Sequence, residues 1–62
     1  MKRTDLERLL VENGFVFVRN GSRHDVYKRG AVYEVVPRHR EVNELLARKI
    51  LKRNGIEMEG TK

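Results

Sequence analysis

Cysteine is absent from the 62 residues, and with it go disulfide staples, thiol catalysis and cysteine-ligated zinc. The two histidines make a poor metal site on their own, so no metal or other cofactor is expected. No apolar run approaches the roughly 20 residues of a membrane-spanning helix, and the N-terminal segment carries no hydrophobic stretch of the signal-peptide kind. The expected location is therefore the cytosol, with no membrane partner. Also missing is the length for a nucleotide-binding α/β fold or a second domain. A chain this short buries only about 60% of its unfolded surface, so its core is thin, and a partner or oligomer that adds contacts would stabilise it. Neither an internal repeat nor a linker or low-complexity segment is evident.

Positive charge, by contrast, is plentiful. Fourteen Lys and Arg residues against nine Asp and Glu leave a formal net charge of +5, which favours polyanionic partners such as nucleic acid over acidic small molecules. Solubility is the competing reading of the same surplus.

Hydrophobic periodicity orders the chain as α-β-β-β-α. Thr4-Asp5-Leu6-Glu7 has the spacing of a capping box, and Leu6, Leu9 and Leu10 follow at helical intervals, predicting a first helix over residues 4–13 that stops at Gly14. Residues 15–18 are aromatic and β-branched, and Asn20-Gly21 suits a tight hairpin with positive φ angles. Second and third strands are expected over 23–28 and 31–36, the latter ended by Pro37, which has no N–H for the ladder. Early glutamates (Glu41, Glu44) and late cations (Arg48, Lys49, Lys52, Arg53) match the dipole of a second helix over 40–54 capped by Gly55. Val42, Leu46 and Ile50 form its expected core stripe, flanked by Leu45, Ala47 and Leu51. The predicted fold is α+β, a three-stranded antiparallel sheet with two helices on one face and the other face open. One domain over residues 1–56 and a frayed tail over 57–62 complete the organisation.

Strand alternation assigns the faces. Tyr27 is expected to point toward the helices, with His24 and Lys28 outward. Glu34 argues for Tyr33 and Val35 inward on the third strand. Asp25 then lies inward and needs a cation.

His24 and His39 are the side chains whose ordinary pKa lies near neutrality, as general acid–base work requires. A ribonuclease can act without metal by removing the proton of a 2′-hydroxyl, whose oxygen attacks the adjacent phosphate while cations stabilise the charge. Arg23, Lys28, Arg38 and Arg40 are available for that purpose. A lone strand histidine is also an ordinary surface residue, and Arg38-His39-Arg40 is either a phosphate-gripping loop or simply a solvated one. The Arg48, Lys49, Lys52 and Arg53 cluster reads likewise as a phosphate ridge or as a solvated helix face.

Gly14-Phe15, Gly21-Ser22-Arg23-His24, Val35-Val36-Pro37-Arg38-His39 and the run Arg48-Lys49-Ile50-Leu51-Lys52-Arg53-Asn54-Gly55-Ile56 together resemble the HicA-type messenger-RNA interferase toxins, over nearly the whole chain. The resemblance implies a fold like a double-stranded-RNA-binding domain and a metal-independent endoribonuclease that acts on mRNA and is neutralised by a HicB-type antitoxin. It assigns the catalytic histidine to His24. Many members read Gly-Ser-His-His where this chain has Arg23. Ser22, Arg23, Lys28, Arg38, His39 and Arg40 are the expected RNA contacts. A non-catalytic RNA-binding module and a small interaction domain with an acidic partner are the alternatives.

Overall fold

The computed structural model describes residues 1–57, so most of the expected tail, residues 58–62, lies outside it. Two helices, α1 (Arg3–Glu12) and α2 (Glu44–Arg53), flank strands β1 (Val16–Asn20), β2 (His24–Arg29) and β3 (Val32–Pro37). The strands form an antiparallel meander in the order β1-β2-β3. Both helices pack on one face, where Leu6, Leu9 and Leu10 meet Phe15, Tyr27, Val36, Val42, Ala47, Ile50, Leu51 and Ile56 in a single core.

The helix C-termini explain why the core closes. After α1, Gly14 takes φ 95°, and the N–H groups of Gly14 and Phe15 reach back to Val11 and Leu10. After α2, Gly55 takes φ 71°, and Gly55 and Ile56 donate to Lys52 and Leu51. Each is a Schellman motif, whose following residue folds back onto the helix. Here those residues are Phe15 and Ile56, both buried.

The N-termini differ from expectation. Residue Lys2 caps α1 without any side-chain hydrogen bond, and Thr4 lies inside the helix, so the capping box does not form. Glu7, which should reach back, instead turns inward toward Asp25 and Tyr27. The helix start is held by a short antiparallel bridge between Lys2 and Glu41, with Arg3 N–H donating to Arg40 O at 3.0 Å and Val42 N–H to Met1 O at 2.7 Å. That bridge keeps residues 40–43 extended, so α2 begins four residues later than predicted, at Glu44. Its cap is Asn43, whose Oδ1 accepts from the N–H groups of Leu45 and Leu46 at 2.9 and 3.2 Å. Val42 fills the core from the extended segment, Leu46 is only half-buried, and Leu45 faces solvent.

The first hairpin also departs from prediction. Among the described residues positive φ occurs only at Gly14, Gly30 and Gly55, so Asn20-Gly21 is not a mirror-image turn. Asn20 ends β1, and Gly21 N–H donates to His24 O at 2.7 Å across a three-residue loop. A Cβ on Gly21 would sit 3.0 Å from that oxygen. Close approach, rather than a left-handed backbone, is what favours glycine there.

On β3 the faces are the reverse of those expected. Glu34 and Val36 are buried, while Tyr33 and Val35 are exposed. The register pairs Tyr27 with Glu34 and Asp25 with Val36, and cross-strand partners share a face. Glu34 tolerates burial because α2 delivers three donors to it: Arg53 Nε and Nη2 at 2.9 and 2.6 Å, and Asn54 Nδ2 at 2.7 Å.

Candidate nucleic-acid interface

His24 opens β2 and is exposed on the face away from the helices, opposite Pro37. The backbone around it is pinned from both sides. His24 O accepts from Gly21, and Arg23 O accepts from Arg38 N–H at 3.0 Å, extending the β2–β3 ladder past Pro37. Arg38 also donates through Nη1 to Asn20 Oδ1 at 2.7 Å, and its Nε lies 3.7 Å from Asp25 Oδ1. This arginine is the cation that inward-pointing Asp25 required. One end of the sheet thus gathers Ser22, Arg23, His24, Arg38 and His39, all exposed.

Two expected contacts lie elsewhere. Lys28 is at the far end of β2, about 13 Å from His24 at 3.3 Å per residue, with its Nζ 5.7 Å from the centre of the Tyr33 ring. Arg40 borders a shallow cleft of about 340 Å³ with Lys2, Arg3 and Thr4. The cationic ridge of α2 is thinner than its sequence, since Arg53 is held by Glu34 and Arg48 Nε pairs with Glu44 at 3.3 Å. All four cations are exposed, and among the described residues Lys49 and Lys52 are the two not paired with a carboxylate.

Behind His24, on the helix side, sits a buried polar cluster. Oxygens Glu7 Oε2 and Asp25 Oδ1 are both buried and lack a hydrogen-bond partner. Burial, then the neighbouring Asp25, raises the Glu7 pKa above the ordinary carboxylate value. Burial and Glu7 push the Tyr27 phenol up to about 12.

The outer sheet face has a composition that sequence reasoning missed. Successive cross-strand pairs run His24 with Pro37, Val26 with Val35, and Lys28 with Tyr33, flanked on β1 by Arg19 beside Val26 and Val16 beside Lys28. The two carboxylates carried by the strands, Asp25 and Glu34, are both buried on the opposite face. No strand carboxylate is left facing outward. The signal that would have revealed this, Arg53-Asn54 as partners for Glu34, exists only once α2 is docked.

Among the described residues, no group of three or more His, Cys, Asp or Glu side chains is placed to hold a metal ion, and no helix is long and apolar enough to cross a membrane. No curated protein and no solved structure matches the chain. A family model described as the HicA toxin of bacterial toxin–antitoxin systems does match it, over residues 3–56. That span begins with the first residue of α1, includes all three strands and α2, and ends at Ile56, the residue that closes the core; the chain belongs to the HicA toxin family of bacterial toxin–antitoxin systems.

Proposed function

We propose that the protein is an mRNA-cleaving endoribonuclease that works without metal in the cytoplasm, uses His24 as its general acid–base group, and is neutralised by a HicB-type antitoxin. The observation that carries this reading is the position of His24: exposed on a sheet face without carboxylates, and flanked by Arg23, Arg38 and His39. In the reaction, the His24 imidazole takes the proton of a 2′-hydroxyl, and the freed oxygen attacks the adjacent phosphorus. The 5′-oxygen leaves and takes a proton from water, so the ends are a 2′,3′-cyclic phosphate and a 5′-hydroxyl. Arg23 and His39 stabilise the charge developing on the phosphate, while the Arg38 guanidinium is engaged by Asn20 and Asp25. Ser22 and the backbone of the pinned loop position the strand.

Replacing His24 by Ala is expected to lower RNA cleavage by about 10²–10⁴-fold and to leave circular dichroism unchanged, because an exposed strand position contributes little packing. A substrate with 2′-deoxyribose at the cut is expected to resist, and EDTA to have no effect. Cleavage by the His24→Ala protein at the parent rate would overturn the assignment. Efficient cutting of the deoxy substrate, or loss of activity on chelation, would replace 2′-oxygen attack with a metal-activated water.

A further inference from the structure

The geometry points to Tyr33 as a base-stacking subsite, on which a nucleobase flanking the cut rests while the scissile phosphate lies at His24. This inference rests on the ribonuclease reading and names the part of the substrate that the far end of the same face holds.

Tyr33 is a large aromatic paired within the sheet, yet it is 57% exposed. Its register partner Lys28 shares its face and holds its Nζ 5.7 Å from the ring centre. An aromatic ring with a cation over one face offers a single-stranded polynucleotide both things it needs, the other π-face for a base and a charge for the neighbouring phosphate. Between this pair and His24 lie Val26 and Val35, an apolar floor with no group that must be hydrogen-bonded. Arg19 borders that floor on β1. Charge complementarity selects the occupant, because this face carries Arg19 and Lys28, whereas Asp25 and Glu34 are buried behind it. The distance from Tyr33 to the His24 end is about 13 Å along the strand, a separation that an unstacked strand bridges in a few nucleotides. Stacking there discriminates little among bases, since every base has a π-face. Tyr33 therefore acts as a positioning residue for His24 rather than as a reader of sequence.

The test uses the full-length chain and a short unstructured RNA with one cut, prepared intact and as a series in which each flanking nucleotide in turn is abasic. Tyr33→Ala is expected to raise KM by about 5–100-fold on intact RNA with a smaller change in kcat. Tyr33→Phe should retain the parent KM. Tyr33→Leu keeps apolar bulk on the strand without the π-face, and is expected to behave as Tyr33→Ala while preserving thermal stability. At one abasic position the parent should lose a similar factor, and Tyr33→Ala should lose nothing more. Equal KM for parent and Tyr33→Ala, or additive losses at every abasic position, would overturn the subsite. So would a Tyr33→Ala protein that binds RNA normally but has lost affinity for its antitoxin, since that assigns the ring to a protein interface. If the parent retains RNA without cutting it, the catalytic reading fails while the subsite is still decided, by Kd for the same series. A parent that does not retain RNA overturns both.

Discussion

Glu34 and Glu7 are both carboxylates turned toward the interior, one from the sheet and one from α1, and the structure drives their ionisation in opposite directions. Hydrogen bonds from Arg53 hold Glu34 below the ordinary value near 4.5. A carboxyl lowered in the folded state contributes stability that is present above its unfolded value and is lost as pH falls through the depressed one. Glu34→Gln is therefore expected to cost about 1–3 kcal/mol at pH 7, and its deficit should shrink as the parent is titrated below about pH 4. Urea denaturation across pH 3–7 measures this, and a deficit that does not vary with pH would refute it. Glu7 has the reverse sign. Its raised pKa means that the fold favours the protonated form, so its contribution is present below the ordinary value near 4.5 and is lost as pH rises through the raised one. Glu7→Gln supplies a permanent donor to Asp25 and is expected to stabilise the protein at pH 7 by about 1 kcal/mol. That gain should vanish in acid. A Glu7→Gln protein less stable than the parent at neutral pH would show that a permanent donor at residue 7 does not relieve the pair.

At the scale of elements, the two helices start by different means. A side-chain cap satisfies the first N–H groups of α2 through Asn43, whereas α1 relies on its bridge to Glu41 and on backbone carbonyls. Asn43→Ala should thus cost about 1 kcal/mol. Thr4→Ala is expected to be neutral within about 0.5 kcal/mol, as an ordinary exposed position would be. Thermal melts of the pair distinguish the architectures, and a Thr4→Ala loss as large as that of Asn43→Ala would restore the capping box. The extended segment 40–43 has a functional consequence as well. It places Arg40 beside Lys2, Arg3 and Thr4, whereas Arg38 is engaged by Asn20 and Asp25 at the end of the sheet.

For the molecule as a whole, charge is distributed unevenly between its two layers. The outer sheet face concentrates cations without carboxylates, while on α1 and α2 the cations Arg8, Arg48 and Arg53 are engaged with acidic partners. RNA bound on the sheet should therefore sense Lys28 and be indifferent to Lys52 on α2. Lys28→Gln is expected to reduce the slope of log K against log salt by about 0.7, the value for one phosphate contact on a single strand. Lys52→Gln should leave it unchanged. Filter binding over a salt series decides the matter, and equal slopes for parent and Lys28→Gln would remove Lys28 from the interface. An antitoxin that inhibits by covering this face would release bound RNA in the same assay, and a ternary complex would place its docking surface elsewhere.

The sequence by itself determined the order of elements, the leucine stripe of α1, the glycine stops of both helices and the outward position of His24. These are local properties: helical periodicity, the left-handed freedom of glycine, and strand alternation each act within a few residues. Tyr27 was legible for the same reason, because Lys28 beside it was the worse core residue. Only the tertiary structure decided the rest. The faces of β3 depend on whether Glu34 can be buried, and that depends on Arg53 and Asn54 arriving from the end of α2. The late start of α2 depends on residues 40–43 finding residues 1–3 as a partner. Local pattern registers a charged residue as outward, since an unpaired carboxylate is costly to bury. The distant donors that lift this cost are brought close only by folding, and they are what leave Tyr33 and Val35 exposed beside Lys28.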